Sequence, residues 1–337
     1  MIFFRLFISL TKINNWLLLW ASLSLVLFST LIIAYLEPET FPTLFEALWW
    51  VMTTVTTVGY GDYYPVTVAG RIYAIFLYII GIGLIGVVIG KIVDLFVIIR
   101  KKREGGEMTF QGNNHIVIVG WSKKALYAVE EIIESEPRID IVIIDTLEQA
   151  PLLEKNIHYI KGEASKRAIL EKANVSKAKA VLIFADDNIQ NALLTDGKSL
   201  MIASSIESIA PDIHTTVEIM DEEHIKNFKH VKVDDFVLTH DTISRLAVRS
   251  IFTKGVTNVY SQLISRKYGE DLFPIPKREH WITYRDAFND LLSEGATLIS
   301  DRDKLGINRR LDEMIEEDAQ LFIICNKATY EKILTDM

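Results

Sequence analysis

The chain has 337 residues, of which 50% are hydrophobic and 24% are charged, and this mixture predicts a membrane part joined to a water-soluble part. Residues 1–103 carry five acidic and eight basic side chains, whereas residues 104–337 carry 39 acidic and 28 basic ones. The acidic character of the soluble part argues against nucleic-acid binding. A single cysteine excludes an intrachain disulfide bond.

Two long apolar runs predict membrane-spanning helices. Residues 16–36 form an uncharged run, and residues 72–99 form a second run that only Lys91 and Asp94 interrupt. Each run is long enough, as a helix, to cross a hydrocarbon core of about 30 Å. Residues 43–54 between them are too short to cross and predict a re-entrant helix that begins after Pro42.

Basic residues flank the two spans and predict their orientation. Arg5 and Lys12 precede the first span, and residues 100–103 are all basic. Because positive flanks stay on the cytoplasmic side, we expect both termini in the cytoplasm of a plasma-membrane protein. The loop between the spans, with its acidic residues, then enters from outside.

The stretch Thr53–Asp62 suits neither a span nor a catalytic loop. Gly59 and Gly61 alternate with Val58 and Tyr60, and glycine reaches positive φ without steric penalty. Such an alternation can aim successive carbonyl oxygens in one direction. Non-helical backbone at membrane depth is tolerated where it lines a water-filled passage.

This stretch resembles the selectivity filter of potassium channels, whose T-x-x-T-x-G-Y-G pattern begins here at Thr54. The resemblance implies that K⁺ is the permeant ion. It implies a selectivity filter formed by five residues, Thr57, Val58, Gly59, Tyr60 and Gly61. The carbonyl oxygens of the first four of these residues would hold K⁺. It also implies that the Trp50 indole donates to Asp62 to support the filter, and that Gly83 is the gating hinge.

Residues 104–114 predict a polar, flexible linker, in which Gly105 and Gly106 stand between acidic residues. Met108 lies just before a complete domain. It is either an ordinary methionine or an internal start that supplies extra soluble chains.

From residue 115 the pattern changes to alternating strands and helices, which predicts a Rossmann-like, doubly wound parallel sheet. The predicted strands are His115–Val119, Ile141–Ile144, Ile157–Ile160, Ala180–Phe184, His214–Ile219 and Asp235–Leu238.

A nucleotide site is predicted at the ends of the first three strands. Gly120 is the one glycine that survives from the dinucleotide fingerprint G-x-G-x-x-G, so the fingerprint alone is weak. We expect the backbone of Gly120 and Ser122 near phosphates, with Lys123 assisting them. Asp145 ends the second strand, where a carboxylate commonly binds ribose hydroxyls, and Glu163 adds a second acidic turn.

This arrangement resembles the RCK domain, the regulator of K⁺ conductance. With the pore of residues 1–103, the resemblance covers the chain in the order of prokaryotic MthK-type channels, including the YugO-like bacterial branch. It implies an α/β core at 115–238, a dimerising helix-turn-helix at 239–266 and a small α+β lobe at 267–337. In that lobe Cys325 ends an apolar stretch that predicts a buried strand and an inert thiol.

The resemblance also implies a homotetramer with a gating ring of RCK domains, octameric if soluble chains that start at Met108 join it. The predicted partner-facing stripe comprises Ile243, Leu246, Ala247, Ile251 and Phe252. From periodicity alone, an ordinary core helix is nearly as good an interpretation.

The regulatory ligand is predicted to be a nucleotide (NAD, ATP or ADP), with a divalent cation as the alternative. In Ca²⁺-gated relatives a carboxylate cluster binds the metal, and the matching positions here are Phe184, Glu218 and Met220. Only Glu218 could ligate a cation.

The sequence therefore predicts a ligand-gated, K⁺-selective channel that catalyses no reaction. Two alternatives remain open: a nonselective cation channel, and a membrane-tethered, nucleotide-dependent oxidoreductase.

Overall fold

The computed structural model describes residues 14–266 and 269–335, and the chain divides after Lys102 into two compact units. Arg5, Lys12 and the end of the C-terminal lobe fall outside the described residues.

The first unit consists of three helices joined by short loops. They are α1 Asn15–Leu36, α2 Leu44–Val55 and α3 Val68–Glu104, whose last two residues belong to the second unit. By length and composition, α1 and α3 can each cross a membrane, with mean hydropathies of 2.3 and 2.7. The two predicted apolar helices and the short helix between them are confirmed.

Helix α3 is longer than the predicted span of residues 72–99. It begins after Thr67, whose hydroxyl oxygen accepts from the Gly70 amide at 3.1 Å and so satisfies a donor of the first turn. It continues through Arg100–Glu104 because Arg, Lys and Glu are good helix formers.

The short helix α2 begins in a capping box. The Thr43 hydroxyl accepts from the Glu46 amide, and the Glu46 carboxylate accepts from the Thr43 amide. The inner face of α2, with Ala47, Trp50 and Val51, packs against α1 and α3 in the core of this unit.

The second unit opens with an α/β fold. Its elements are β1 Ile116–Val119, α4 Lys123–Ser135, β2 Ile141–Asp145, β3 Ile157–Lys161, α5 Arg167–Lys172, β4 Ala180–Ile183, α6 Ala192–Glu207, β5 His214–Ile219 and β6 Asp235–Leu238. All six strands are parallel, in the order β3-β2-β1-β4-β5-β6. The strand order reverses between β1 and β4, which is where doubly wound folds bind ligands. The predicted sheet is confirmed.

The sequence predicted that residues 104–114 form a flexible linker, but in the structure this segment is held by hydrogen bonds. The Phe110 amide donates to Lys172 at 2.9 Å, and the Lys161 amide donates to the Gly106 carbonyl at 3.0 Å. The segment therefore lies along β3, the edge strand of the sheet. Its backbone groups are satisfied by the fold rather than by water.

The remaining elements are two helices and a small lobe. They are α7 Thr239–Phe252, α8 Val256–Ile264, β7 Asp271–Ile275, α9 Tyr284–Ser293, β8 Thr297–Asp301, β9 Lys304–Leu305, β10 Leu321–Cys325 and α10 Lys327–Thr335. The lobe has an antiparallel sheet, β7-β10-β8-β9, under α9 and α10, as the predicted α+β class requires. Cys325 is fully buried in it.

Candidate functional site

The predicted filter has a repeating backbone. Thr57, Gly59 and Gly61 have positive φ values of 60°, 56° and 76°. They alternate with Val58 and Tyr60. Positive φ was expected of the two glycines. Thr57 also has a positive φ although it is not a glycine, and nothing in the sequence indicates this.

The filter is tied to α2 at two levels. The Thr53 carbonyl accepts from the amides of Val58 and Gly59, at 2.9 and 3.1 Å. About one helical turn earlier, the Trp49 indole Nε1 donates to the Asp62 carboxylate at 2.7 Å. The Trp49 ring also stacks on Tyr60, with ring centroids 5.8 Å apart.

Trp49, and not Trp50, is therefore the partner of Asp62. Trp50 lies about 100° further round the helix, is 3% exposed, and packs against Phe41 with centroids 5.5 Å apart. The predicted contact was assigned to the wrong member of an adjacent pair.

A buried carboxylate joins the ends of α1 and α3. Glu37 is 2% exposed and accepts from the Thr67 amide and hydroxyl at 2.7 and 2.6 Å. Gly70 lies against it, since a Cβ there would stand 2.2 Å from Glu37 Oε1. Sequence reasoning missed this clamp.

Helix α3 runs without a break through Gly83, and a Cβ at Gly83 would meet nothing within 4 Å. The hinge assigned to Gly83 stays a prediction. Gly81, by contrast, packs against Val55 of α2, where a Cβ would lie 3.3 Å from Val55 Cγ2.

A cavity of about 410 Å³ lies at the carboxyl ends of β1, β2, β3 and β4 in the second unit. Four of the five predicted nucleotide-site residues line it: Gly120, Ser122, Asp145 and Glu163. Gly120 has φ +89°, and its Cα approaches Phe184 so closely that a Cβ would lie 3.4 Å from the Phe184 carbonyl oxygen.

Asp145 organises the turns that form this cavity. Its Oδ2 accepts from the Trp121 amide at 2.7 Å, and its Oδ1 accepts from the Thr146 amide at 2.6 Å. Ser122 caps α4 by accepting from the Lys124 amide at 3.2 Å. Trp121 and Ser122, which immediately precede α4, line the cavity, and the start of a helix is a favourable place for phosphate.

Lys123 does not line the cavity and is exposed. The cation in the cavity wall is Lys198 of α6, which pairs with Asp186 at 2.5 Å. Despite partial burial, this ion pair and the Asn188 amide lower the pKa of Asp186. No motif marks Lys198, because it arrives from a distant helix.

Lys124, the neighbour of Lys123, points instead to a buried carboxylate. Its Nζ lies 2.8 Å from Glu218, which is 2% exposed, and 2.7 Å from Asp187. Burial disfavours the charged ammonium, but hydrogen bonds to Asp187 and Glu218 outweigh it and raise the pKa of Lys124.

The Glu218 carboxylate is thus already engaged in this structure, and a divalent cation at Glu218 stays a prediction. Besides Lys124, its oxygens accept from the Ala185 amide at 2.9 Å and the Thr239 hydroxyl at 2.6 Å. Within residues 14–266 and 269–335, no group of three or more His, Cys, Asp or Glu side chains could hold a metal ion.

Helix α7 carries an exposed apolar stripe. Ile243, Ile251 and Phe252 are 60%, 78% and 83% exposed. Gly255, with φ +90°, separates α7 from α8. An intramolecular core helix would have buried these side chains.

Two family models match the chain in succession. An ion-channel model matches residues 17–97, and a TrkA-N domain model matches residues 116–239. Together they cover more than half of the chain.

Similar proteins share this order. A protein named as the potassium channel YugO of Bacillus subtilis is 27% identical over 84% of this chain and 87% of its own length. The calcium-gated potassium channel TvoK of Thermoplasma volcanium is 27% identical over 68% of this chain and 66% of its own length. The human SLO3 gating ring matches with a TM-score of 0.50 at 13% identity, over 65% of this chain and 45% of its own, which shows a shared fold alone.

Proposed function

The chain belongs to the potassium channels that join a two-helix pore to a TrkA-N (RCK) gating domain, and we propose that a nucleotide in the 410 Å³ cavity is its gating ligand. The observation that carries this proposal is the place of the cavity. It lies at the reversal of strand order, with Gly120 and Asp145 in its wall.

Conduction follows from the filter backbone. Positive φ at Thr57, Gly59 and Gly61 supports rings of carbonyl oxygens contributed by four chains around one axis. These oxygens replace the water around K⁺, and repulsion between ions in successive rings lets each one leave. We assign K⁺ to the carbonyls of Thr57–Tyr60.

The charges that flank α3 support an orientation. Arg100–Arg103 form a basic end, and positive residues favour the cytoplasmic face. We propose that the second unit lies in the cytoplasm. Four pore units then bring four such units together, and α7 and α8 pair them into a gating ring.

The charge of the cavity wall favours one nucleotide over the others. Its charged side chains are four carboxylates, Asp145, Glu163, Asp186 and Asp187, and one ammonium, Lys198. A dinucleotide such as NAD carries fewer phosphate charges than ATP, so it meets less repulsion there. Asp145 would then accept from the ribose hydroxyls.

Reconstituted full-length protein tests this proposal. We expect K⁺ flux from liposomes that NAD changes, with a smaller response to ADP and ATP. Asp145→Asn should weaken the NAD response by roughly tenfold or more, since a hydrogen bond to a charged group is lost.

Asp212→Asn is the matched control, because the Asp212 side chain is 99% exposed and does not line the cavity. It should respond to NAD as the unchanged protein does. Equal Na⁺ and K⁺ flux, or NADH oxidation without flux, would contradict the channel. A K⁺ flux indifferent to all three nucleotides would contradict only the ligand.

A further inference from the structure

One face of α2 presents hydrogen-bonding groups to the filter in sequence. Thr53 binds the amides of Val58 and Gly59, and Trp49 binds Asp62, as described above. The third member of this face is Glu46, one turn earlier. Positions 46, 49 and 53 are three and four residues apart, so they lie on one side of a helix.

Glu46 continues the series outward. Its Oε1 accepts from the Tyr63 hydroxyl at 3.2 Å, and Tyr63 directly follows Asp62. Its other oxygen, Oε2, accepts from the Thr43 amide and hydroxyl, both at 2.9 Å. The carboxylate thus joins the first turn of α2 to the residue beyond the filter.

The Tyr63 ring is held in place by its own packing. It lies against Phe41, with ring centroids 6.1 Å apart, and Phe41 is 2% exposed. The Tyr63 ring is thus partly buried against the core of this unit while its hydroxyl donates to Glu46.

We propose that Glu46 and Tyr63 form an outer brace that positions the filter for conduction. Asp62 and Tyr63 directly follow the filter, and side-chain hydrogen bonds tie both of them to α2, so these bonds restrain the outer end of the filter. The inner contact at Thr53 uses only a backbone carbonyl, so the outer contacts contribute the side-chain restraint. Glu46 and Tyr63 are positioning residues and do not touch the ion.

The proposal rests on the K⁺ channel function and is tested by single-channel recording from purified full-length protein in planar bilayers. We record spontaneous openings and openings with NAD. Tyr63→Phe removes only the hydroxyl. We expect the open filter to inactivate roughly tenfold faster at low K⁺, the change in rate that a hydrogen bond to a carboxylate can supply. High K⁺ should slow this inactivation, because ions in the filter hold it open.

Tyr64→Phe is the control, because Tyr64 directly follows Tyr63 and its side chain is 58% exposed. It should inactivate as the unchanged channel does. In a Glu46→Gln background, Tyr63→Phe should have a smaller effect, since the charged acceptor is already gone. A role in folding alone would lower the melting temperature of the tetramer without any dependence on K⁺.

The outcomes are separable. If the unchanged protein passes no K⁺ current, the proposed function fails. If it conducts, and Tyr63→Phe either matches Tyr64→Phe or adds fully to Glu46→Gln, the brace is overturned and the channel function stands.

Discussion

Lys124 makes a contact whose loss can be measured. Lys124→Ala leaves the buried Glu218 carboxylate without its cation, and an unpaired buried charge is strongly destabilising. Because the Lys124 side chain is 29% exposed, water compensates in part, and we expect the free energy of unfolding to fall by about 3 kcal/mol. Thermal unfolding of the purified channel measures this.

Lys123→Ala is the control, because it removes the same charge at the neighbouring position. Lys123 is exposed, so its replacement should alter stability by no more than about 0.5 kcal/mol. Equal effects of the two substitutions would refute the assignment of the buried pair.

Adjacent residues set the limit of what the sequence shows at this scale. The contact with Asp62 was predicted for Trp50 but is made by its neighbour Trp49, and Lys123, predicted at the nucleotide site, does not line the cavity. Successive side chains on a helix differ by about 100°, so a helix that starts one residue later exchanges their roles. This ambiguity does not affect Gly120, which directly follows β1, or Asp145, which ends β2, and both line the cavity.

The segment between α3 and β1 yields a prediction for an element. Gly106 has φ +65°, and a Cβ there would lie 2.5 Å from the Lys161 amide nitrogen and 2.7 Å from Tyr159 Cδ1. Lys161 immediately precedes Gly162 and Glu163 in the cavity wall. Gly106→Ala should therefore separate this segment from β3, and we expect NAD still to bind within about twofold while its effect on K⁺ flux is lost.

Binding by calorimetry and flux from liposomes, measured on the same preparation, check this. Gly197→Ala is the control, since a Cβ there meets nothing within 4 Å. An undiminished flux response in Gly106→Ala would rule out this segment as the connection.

Strands and linker differ in how well the sequence predicted them. The six parallel strands were found because buried strands are continuous apolar runs such as Ile141–Ile144. The segment 104–114 was misjudged because glycine and glutamate are typical of flexible chain. What orders it is a set of backbone hydrogen bonds to β3 and Lys172, and these leave no mark on side-chain composition.

At the scale of the whole channel, we expect pairing of the RCK domains to depend on the exposed stripe of α7. Phe252→Asp places a charge where the side chain is 83% exposed in the single chain and would be buried between two. We expect the pore to remain tetrameric while the RCK domains no longer pair. NAD should then bind without changing K⁺ flux, as cross-linking and liposome assays would show.

Tyr127→Asp is the control, because Tyr127 is another aromatic residue of the same unit and its side chain is 67% exposed. This substitution should leave both the pairing and the NAD response intact. Pairing that survives Phe252→Asp would show that α7 does not join the domains.

At this scale the order of domains could be predicted, since a change from helical spans to alternating strands is visible along the chain. The number of chains could not be predicted, because an exposed apolar stripe such as that of α7 favours a partner without indicating how many chains assemble. The tetramer, the octameric ring and a start at Met108 stay predictions.

The buried thiol in the small lobe has a practical consequence. Burial raises the pKa of Cys325 to about 11, and its sulfur is enclosed in the sheet, so at neutral pH the native channel offers almost no thiolate to a maleimide. A cysteine placed at any exposed position would then be the single reactive group of each subunit. Fluorophores or spin labels could follow the ring as it moves, without first removing a native residue.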